Sequence, residues 1–430
     1  MKIIEEKLID FSNTRKDPIG DIYEYEGKMV RLVSKQFRHY VEQLMNSPLI
    51  AKLLKEKFLV DTCISEYTYG ENGLVLEHKK ITPPQTASQW TFTMMNDVAK
   101  LVLQINQICM EHGYELKDCH QANFLFDGVR PVLVDFGSIV KRGSQKGWTI
   151  KDEFLERYFY PLKLWSRNYD KTIDALMQST MKLDLTELMR IYYGVPERVV
   201  RGLLFTRKFF QLKATVEMKA LYSRINGIKY QIDTQWGNYQ DRFWGKNNKR
   251  FDYEIEWINK MSDINTMIEL GANQGYFSYL VSKNTKVKKI ISTDYDKKAV
   301  DVMYQRLKRQ KSRNVITPLL LDFVWMPIEK LKKYQSDLVV ANALTHHLIL
   351  TQGMSQVALT ERLAVLGKKY VIVEFMPYGV GQSKLKLPEW YTEDNFMSNL
   401  RARFTIVNIF RAEKRRTIII GVNNNYKEGI

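Results

Sequence analysis

The stretch T-M-I-E-L-G-A-N-Q-G-Y-F-S-Y-L, Thr266 to Leu280, decides how the second half of the chain is read. An apolar run ends at Leu270, a turn carries Gly271 and Gly275, and helical patterning starts near Tyr276. Glycine lets a backbone turn tightly and approach a ligand with no Cβ in the way. A lone G-x-x-x-G says little. Here it falls where the ligand crevice of an open α/β sheet lies, at the carboxyl end of the first strand.

Outward from this turn the pattern alternates strand and helix, which predicts a parallel α/β sheet over about 250–430. K-I-I-S-T-D-Y brings Asp294 to the same rim, 23 residues after Gly271, where an acid accepts from ribose hydroxyls. P-L-L-L-D-F delivers Asp322, suited to an adenine amino group, and Phe323, suited to stacking on the ring. D-L-V-V-A-N-A-L delivers Asn342 and then T-H-H-L; Y-V-I-V-E-F delivers Glu374. F-T-I-V-N-I-F and R-T-I-I-I-G-V complete the predicted sheet.

Taken together, these rim positions resemble the class I S-adenosylmethionine-dependent methyltransferases over about 250–430. The resemblance implies a Rossmann-like domain and S-adenosylmethionine as cofactor, with Glu269, Gly271, Asn273, Gly275, Asp294 and Asp322 as its contacts, beside Phe323 and Asn342. A dinucleotide fingerprint wants glycine at position 273, where this chain has Asn273. His346 and His347 are the substrate-side candidates, since histidine suits deprotonation of a hydroxyl or amine. A hydrogen-bonded pair that caps a helix is the alternative reading. The N-P-P-Y type motif of adenine and glutamine methylation is absent, and no cysteine sits at these strand exits.

The first half has a second grammar in L-K-D-C-H-Q-A-N-F-L-F-D-G-V-R-P-V-L-V-D-F-G. Asp118 and Asn123 are five apart, and Asp135-Phe136-Gly137 begins twelve residues after Asn123. This resembles the catalytic and metal loops of protein kinases and aminoglycoside-phosphotransferase-like enzymes. The resemblance implies an α+β kinase-like domain over 1–150, with an N-lobe to about 84 and a catalytic-loop region over 85–150. It makes Asp118 the residue that orients an acceptor hydroxyl, with Asn123 and Asp135 holding Mg²⁺ on ATP phosphates. No glycine-rich phosphate loop or V-A-I-K lysine precedes it. Arg31 or Lys28 is left to supply that charge, with Glu42 as expected partner. Active phosphotransfer and a retired binding or scaffolding fold both remain open.

Local patterning predicts a hairpin over Asp21–Val33, one helix over 36–58, a hinge at Thr82 and a long helix over 89–112. Residues 151–249 read as a helical extension and junction, in which Trp236, Tyr239, Phe243 and Trp244 pack together. The whole chain also resembles a group of bacterial proteins, some nodulation-related, that pair a kinase-like segment with a C-terminal methyltransferase. Kinase–methyltransferases that cap O-antigen chains are a looser analogy.

The 430 residues suit two or three domains, and 45% hydrophobic content with 22 Gly and 11 Pro excludes collagenous or largely disordered chains. Cys63, Cys109 and Cys119 build no disulfide framework or zinc site. With an acidic N-terminus and no long apolar run, the expectation is a soluble, reduced, cytoplasmic protein without an integral membrane segment. The net charge of +17 favours anionic partners. The acceptor expected is a small molecule or glycan-type compound. RNA is the alternative, through the basic helix around Arg306 to Arg313. Sequence does not set the oligomeric state.

Overall fold

Runs such as T-M-I-E-L and D-L-V-V-A hold too few polar positions to leave a sheet face in water. The computed structural model buries them, and it describes residues 2–4, 10–15, 17–70, 73–145, 147–178, 183–209, 213–246, 248–310, 315–379, 387–412 and 415–426. Two units divide the chain. One comprises Met1–Ser88, Phe92–Asp127 and Pro131–Gln231; the other comprises Gln89–Thr91, Gly128–Arg130 and Ile232–Ile430. Residues 232–249, expected within the junction, therefore lie inside the second unit.

In the first unit an antiparallel sheet runs in the order β1-β2-β3-β5-β4. Its strands are β1 (Asp10–Arg15), β2 (Gly20–Tyr25), β3 (Lys28–Val33), β4 (Thr62–Ile64) and β5 (Val75–His78). The expected hairpin is β2–β3, closed by Glu26 and Gly27, both at positive φ, as a two-residue hairpin turn with the right twist requires. The single helix expected over 36–58 is instead two, α1 (Arg38–Met45) and α2 (Pro48–Lys55). Pro48 cannot continue a helix but suits the start of one, and Ser47 Oγ caps α2 by accepting from the Ile50 N–H at 3.3 Å. The long helix is α3 (Phe92–Glu111), apolar nearly all round and correspondingly buried.

In the second unit, α4 (Lys249–Lys260) precedes a seven-stranded sheet. In chain order these are β6 (Thr266–Leu270), α5 (Tyr276–Asn284), β7 (Lys289–Asp294), α6 (Lys297–Arg309), β8 (Ile316–Leu320), β9 (Ser336–Ala341), β10 (Gly367–Phe375), β11 (Phe404–Arg411) and β12 (Thr417–Asn423). The spatial order is β8-β7-β6-β9-β10-β12-β11. Strands β6 to β10 are parallel, and β12 runs antiparallel to both of its neighbours. From β6 the chain steps outward through β7 and β8, then returns to β9 on the other side. The topological switch point, where an open α/β sheet takes its ligand, thus lies between the carboxyl ends of β6 and β9. Two apolar clusters cover the two faces, one including Ile268, Val339 and Val371, the other Met267, Val340 and Ile372. Alternation along each parallel strand feeds both layers. No helix among the described residues is long and apolar enough to cross a membrane.

Candidate functional site

The turn after β6 is left-handed three times over, with φ of +64° at Gly271, +54° at Asn273 and +77° at Gly275. A Cβ on Gly271 would stand 2.9 Å from Leu344 Cδ1, and one on Gly275 2.7 Å from Met303 Cγ. Those side chains can yield, so backbone conformation is the stricter demand. Asn273 tolerates it as the residue type that visits this region next most readily.

Hydrogen bonds tie the turn to β7. The Ala272 N–H donates to the Thr293 carbonyl at 2.8 Å, and the Asn273 N–H to Asp294 Oδ2 at 2.7 Å. The Asp296 N–H donates to the other oxygen, Oδ1, at 2.9 Å. Burial pushes the Asp294 carboxyl up to about 6, against the pull of these backbone donors. Glu269 Oε2 accepts from the Ser278 N–H at 3.0 Å and from its hydroxyl, fastening β6 to α5. Burial carries Glu269 up to about 7, with the Ser278 bonds opposing.

A segment that sequence patterns did not connect with this turn lies against it. The Trp236 carbonyl accepts from Asn273 Nδ2 at 2.8 Å, and the Gly237 carbonyl from Gln274 Nε2 at 2.6 Å. Gln240 spans the turn: its Nε2 donates to the Ala272 carbonyl at 3.1 Å, and its Oε1 accepts from the Tyr276 N–H, the first of α5, at 3.2 Å. Trp236, Tyr239 and Phe243 follow one another edge to face or tilted, whereas Trp244 packs on Tyr276 and Tyr279. The expected four-residue aromatic cluster is thus two groups. No motif spacing marks Gln240. The only signal was its place just upstream of α4.

At the end of β8, Asp322 is exposed, and its Oδ1 accepts from the Val324 N–H at 3.1 Å. Phe323 is 5% exposed within the apolar cluster, because it belongs to the layer that β8 and β9 share; its ring is not free to stack on a base. Trp325, two residues on, is 77% exposed, and Tyr295 after β7 is 55% exposed.

The exits of β9 and β10 are joined by buried charge. Glu374 accepts from Arg250 Nη1 at 2.7 and 2.8 Å, from Arg416 Nη1 at 2.7 Å and from the Ala343 N–H at 2.7 Å. Burial alone would raise Glu374, but Arg250 and Arg416 outweigh it and hold the carboxyl below its usual range. Asn342 Nδ2 donates to Glu254 Oε2 at 2.7 Å. Asn342 Oδ1, Glu254 Oε1 and Asn273 Oδ1 are buried with no hydrogen-bond partner. His346 is buried and His347 half-buried, their ring centroids 4.0 Å apart, and the Trp236 and His347 rings meet edge to face with centroids 5.1 Å apart. Burial, with His347 beside it, lowers His346 to about 4; burial lowers His347 as well. Both imidazoles are therefore neutral near pH 7, and His346 Nδ1 has no partner.

The structure thus brings Glu269, Gly271, Asn273, Gly275 and Asp294 into one bonded turn, and Asn342, His346 and His347 to the next strand's exit. A turn held in left-handed backbone and several orphaned buried acceptors fit a ligand that brings hydrogen-bond donors.

In the first unit Asn123 Nδ2 donates to Asp118 Oδ1 and, at 3.1 Å, to Ser138 Oγ; Ser138 Oγ donates to Asp135 Oδ2 at 2.7 Å. Burial, then Asp135, raises Asp118. Arg31 is fully buried on β3, but its partner is not Glu42. Its Nη2 meets Asp135 Oδ1 at 2.9 Å, and its Nη1 meets Asp17 Oδ1 at 3.1 Å. Glu42 pairs with Arg38 one turn back on α1, and Lys28 with Glu77. Glu42 has an i,i+4 partner within reach in Arg38, whereas the Arg31 guanidinium is taken by Asp17 and Asp135. No three His, Cys, Asp or Glu among the described residues are grouped to hold a metal ion.

No family model matches the chain. It is 24% identical over 444 residues to the nodulation protein NoeA of Rhizobium meliloti (strain 1021), with 91% of each chain covered. A SAM-dependent methyltransferase from Aquifex aeolicus aligns with 45% of this chain and 100% of its own, at 13% identity and TM-score 0.34. Magnesium protoporphyrin IX methyltransferase (ChlM) from Synechocystis PCC 6803 aligns with 47% of this chain and 91% of its own, at 14% identity and TM-score 0.32. A putative S-adenosylmethionine-dependent methyltransferase from Listeria monocytogenes gives 41% and 100%, at 14% identity and TM-score 0.32. Overlaps this loose carry no argument about substrate or site.

Proposed function

We propose that the second unit is an S-adenosylmethionine-dependent methyltransferase acting on a small-molecule or glycan-type acceptor. The observation that carries this reading is Trp236, which joins the two halves of the crevice: its carbonyl holds Asn273 of the left-handed turn, and its ring meets that of His347 edge to face. The bound cofactor supplies a methyl group already activated on a sulfonium. The chain's task is then positioning, with a base where the nucleophile carries a proton. The Gly271–Gly275 backbone would hold the methionine part, Asp294 would accept from the ribose, and Asp322 from the adenine amino group. His347, neutral and half-buried, would take the proton from an acceptor hydroxyl or amine, whose oxygen or nitrogen would gain the methyl group as the sulfur–methyl bond breaks and S-adenosylhomocysteine is left.

Titration calorimetry with S-adenosylhomocysteine tests this directly. Binding by the folded protein, abolished in Gly271→Val, is the expected result; a folded sample that binds nothing overturns it.

RNA as acceptor is the second reading, supported by the +17 charge. On α6, however, Arg306 is engaged with Gln274, Asp241 and the Trp244 ring, and Lys298 with Asp233. Residues 311–314, which include Arg313, lie outside the described residues. Tritiated methyl transfer into fractionated lysate separates the two, since label in RNA refutes the small-molecule reading. For the first unit, the pairing of buried Arg31 with half-buried Asp135 favours a kinase-like binding or scaffolding module over a magnesium–ATP kinase, the bifunctional alternative.

A further inference from the structure

Glu254, on α4, belongs to no motif, yet it is fully buried beside the crevice. One carboxyl oxygen, Oε2, takes the Asn342 amide at 2.7 Å. The other, Oε1, has no partner, and neither does Asn342 Oδ1. Two acceptors from side chains already bonded to each other are thus left open, at the end of the strand that borders the switch point. A buried acceptor without a donor costs about 1–3 kcal/mol, so such a pair persists where something else completes it.

The surroundings decide what that is. Arg250, one turn back on α4, commits its Nη1 to Glu374, where Arg416 and the Ala343 N–H also converge, and its Nε is buried without an acceptor. Glu269 of β6 and Glu374 of β10 both press on Glu254 with like charge. Burial, against the pull of Arg250 and Asn342, raises Glu254 to about 8. Around Glu254, therefore, two open acceptors and the carboxyls of Glu254, Glu269 and Glu374 face the single open donor of Arg250 Nε, which leaves room for one more cationic donor. An anion or a neutral acceptor group would leave Glu254 Oε1 and Asn342 Oδ1 unpaired.

We propose that Glu254 Oε1 and Asn342 Oδ1 form the seat of a primary ammonium group, the α-ammonium of the methyl donor's methionine part, with Glu254 as its counter-ion. The inference rests on the methyl-donor reading and adds an electrostatic anchor from α4 to the turn after β6. When the ammonium docks, Glu254 ionises and its proton leaves to buffer; nothing is oxidised or reduced.

Three ligands test it by calorimetry: S-adenosylhomocysteine, its decarboxylated amine analogue, and 5′-methylthioadenosine, which lacks the amino-acid part altogether. Glu254→Gln should weaken the first two at least tenfold and leave methylthioadenosine unchanged, which also shows that the variant's crevice is folded. In wild-type protein at pH 7, binding of either amine should release up to about one proton, read from the dependence of heat on buffer ionisation enthalpy, and methylthioadenosine none. Equal affinity of wild type and Glu254→Gln for S-adenosylhomocysteine overturns the inference while the methyl-donor reading stands. Wild-type protein that binds none of the three brings down both. If Glu254→Gln also loses methylthioadenosine, the wild-type proton release decides: its absence refutes the ammonium seat.

Discussion

The Asn273 N–H donates to Asp294 Oδ2 at 2.7 Å, so the acid after the second strand of the sheet holds the turn after the first. Asp294 therefore has two tasks, shaping the glycine turn and, in the proposed reading, accepting from the ribose. Asp294→Ala removes both. S-adenosylhomocysteine affinity should fall by roughly 10–100-fold, the scale of a hydrogen bond to a charged group. Asp294→Asn keeps one acceptor for the turn and should fall between alanine and wild type. Hydrogen exchange at the Asn273 amide should quicken in the alanine variant. Unchanged exchange there would remove the structural half of the argument.

Gly275 starts α5 at φ +77°, and its missing Cβ would meet Met303 at 2.7 Å. Gly275→Ala should cost about 1–2 kcal/mol for the left-handed backbone alone, plus the collision. Adding Met303→Ala clears the space without changing φ, so calorimetry on the double variant should recover only part of the lost ligand affinity. Full recovery would show that space, rather than conformation, dictates glycine.

Sequence periodicity made the second sheet legible, because parallel strands buried on both faces read as apolar runs and each ends at a polar or glycine position. The rim residues Gly271, Asp294 and Asn342 followed from that alternation. Arg31's partner did not, because a buried guanidinium is paired by tertiary geometry that joins Asp17, β3 and Asp135 across a hundred positions. Phe323 was misplaced because spacing locates a residue near the rim without saying which way its ring turns. Gln240 and Glu254 were invisible for a related reason. A lone polar residue in an irregular segment or on a helix has no spacing partner, and its role exists only once the turn or strand exit lies beside it.

The buried carboxyls predict an unusual pH profile for the ligand-free protein. Glu254, Glu269 and Asp294 are raised by burial to about 8, 7 and 6 from ordinary values of 4.5, 4.5 and 3.8. The folded state thus binds protons more tightly than the unfolded state. Their contribution to stability is complete below about pH 4 and is lost as pH rises through 6, 7 and 8. The melting temperature set by these groups should decline from pH 5 to pH 8.5. Glu254→Gln should flatten the upper part of that decline, with a gain at pH 8.5 of roughly 2–4 °C for each kcal/mol recovered. A variant that parallels wild type at every pH would contradict the burial argument.

The two histidines should separate by accessibility. His346 is sealed and its neighbour half-buried, so His347→Asn should cut methyl incorporation by about 10²–10⁴-fold, the usual value of a general base, with S-adenosylhomocysteine affinity intact. His346→Asn should lower the melting temperature more than the rate. Because burial lowers both imidazoles, the wild-type rate should be flat above pH 7 and fall only on the acid side. Tritium transfer into lysate acceptor, followed across pH, checks both statements; a larger rate loss in His346→Asn would reverse the assignment.

Arg31 supplies the last prediction. Its guanidinium sits 2.9 Å from the Asp135 carboxylate that the kinase resemblance reserves for a divalent ion, and 3.1 Å from Asp17. Lys117 adds a second cation on Asp17 at 3.3 Å. Asp135 is further spent on the Gly137 N–H and the Ser138 hydroxyl, so its lone pairs are largely committed. A fixed positive charge at that position repels Mg²⁺ and satisfies the acids without it. Magnesium with ATP at millimolar concentration should therefore leave the melting curve of the wild-type protein unchanged. Arg31→Met keeps the side-chain volume but leaves Asp135 without its cation and Asp17 with Lys117 alone, which should destabilise the first unit by about 3 kcal/mol. If the acids retain their places, that variant should regain stability with Mg²⁺ or Mn²⁺ where wild type does not, and Asp135→Asn in the same background should remove the gain. A metal-dependent shift of equal size in wild type would show instead that Arg31 swings aside and that the unit remains competent for metal and nucleotide.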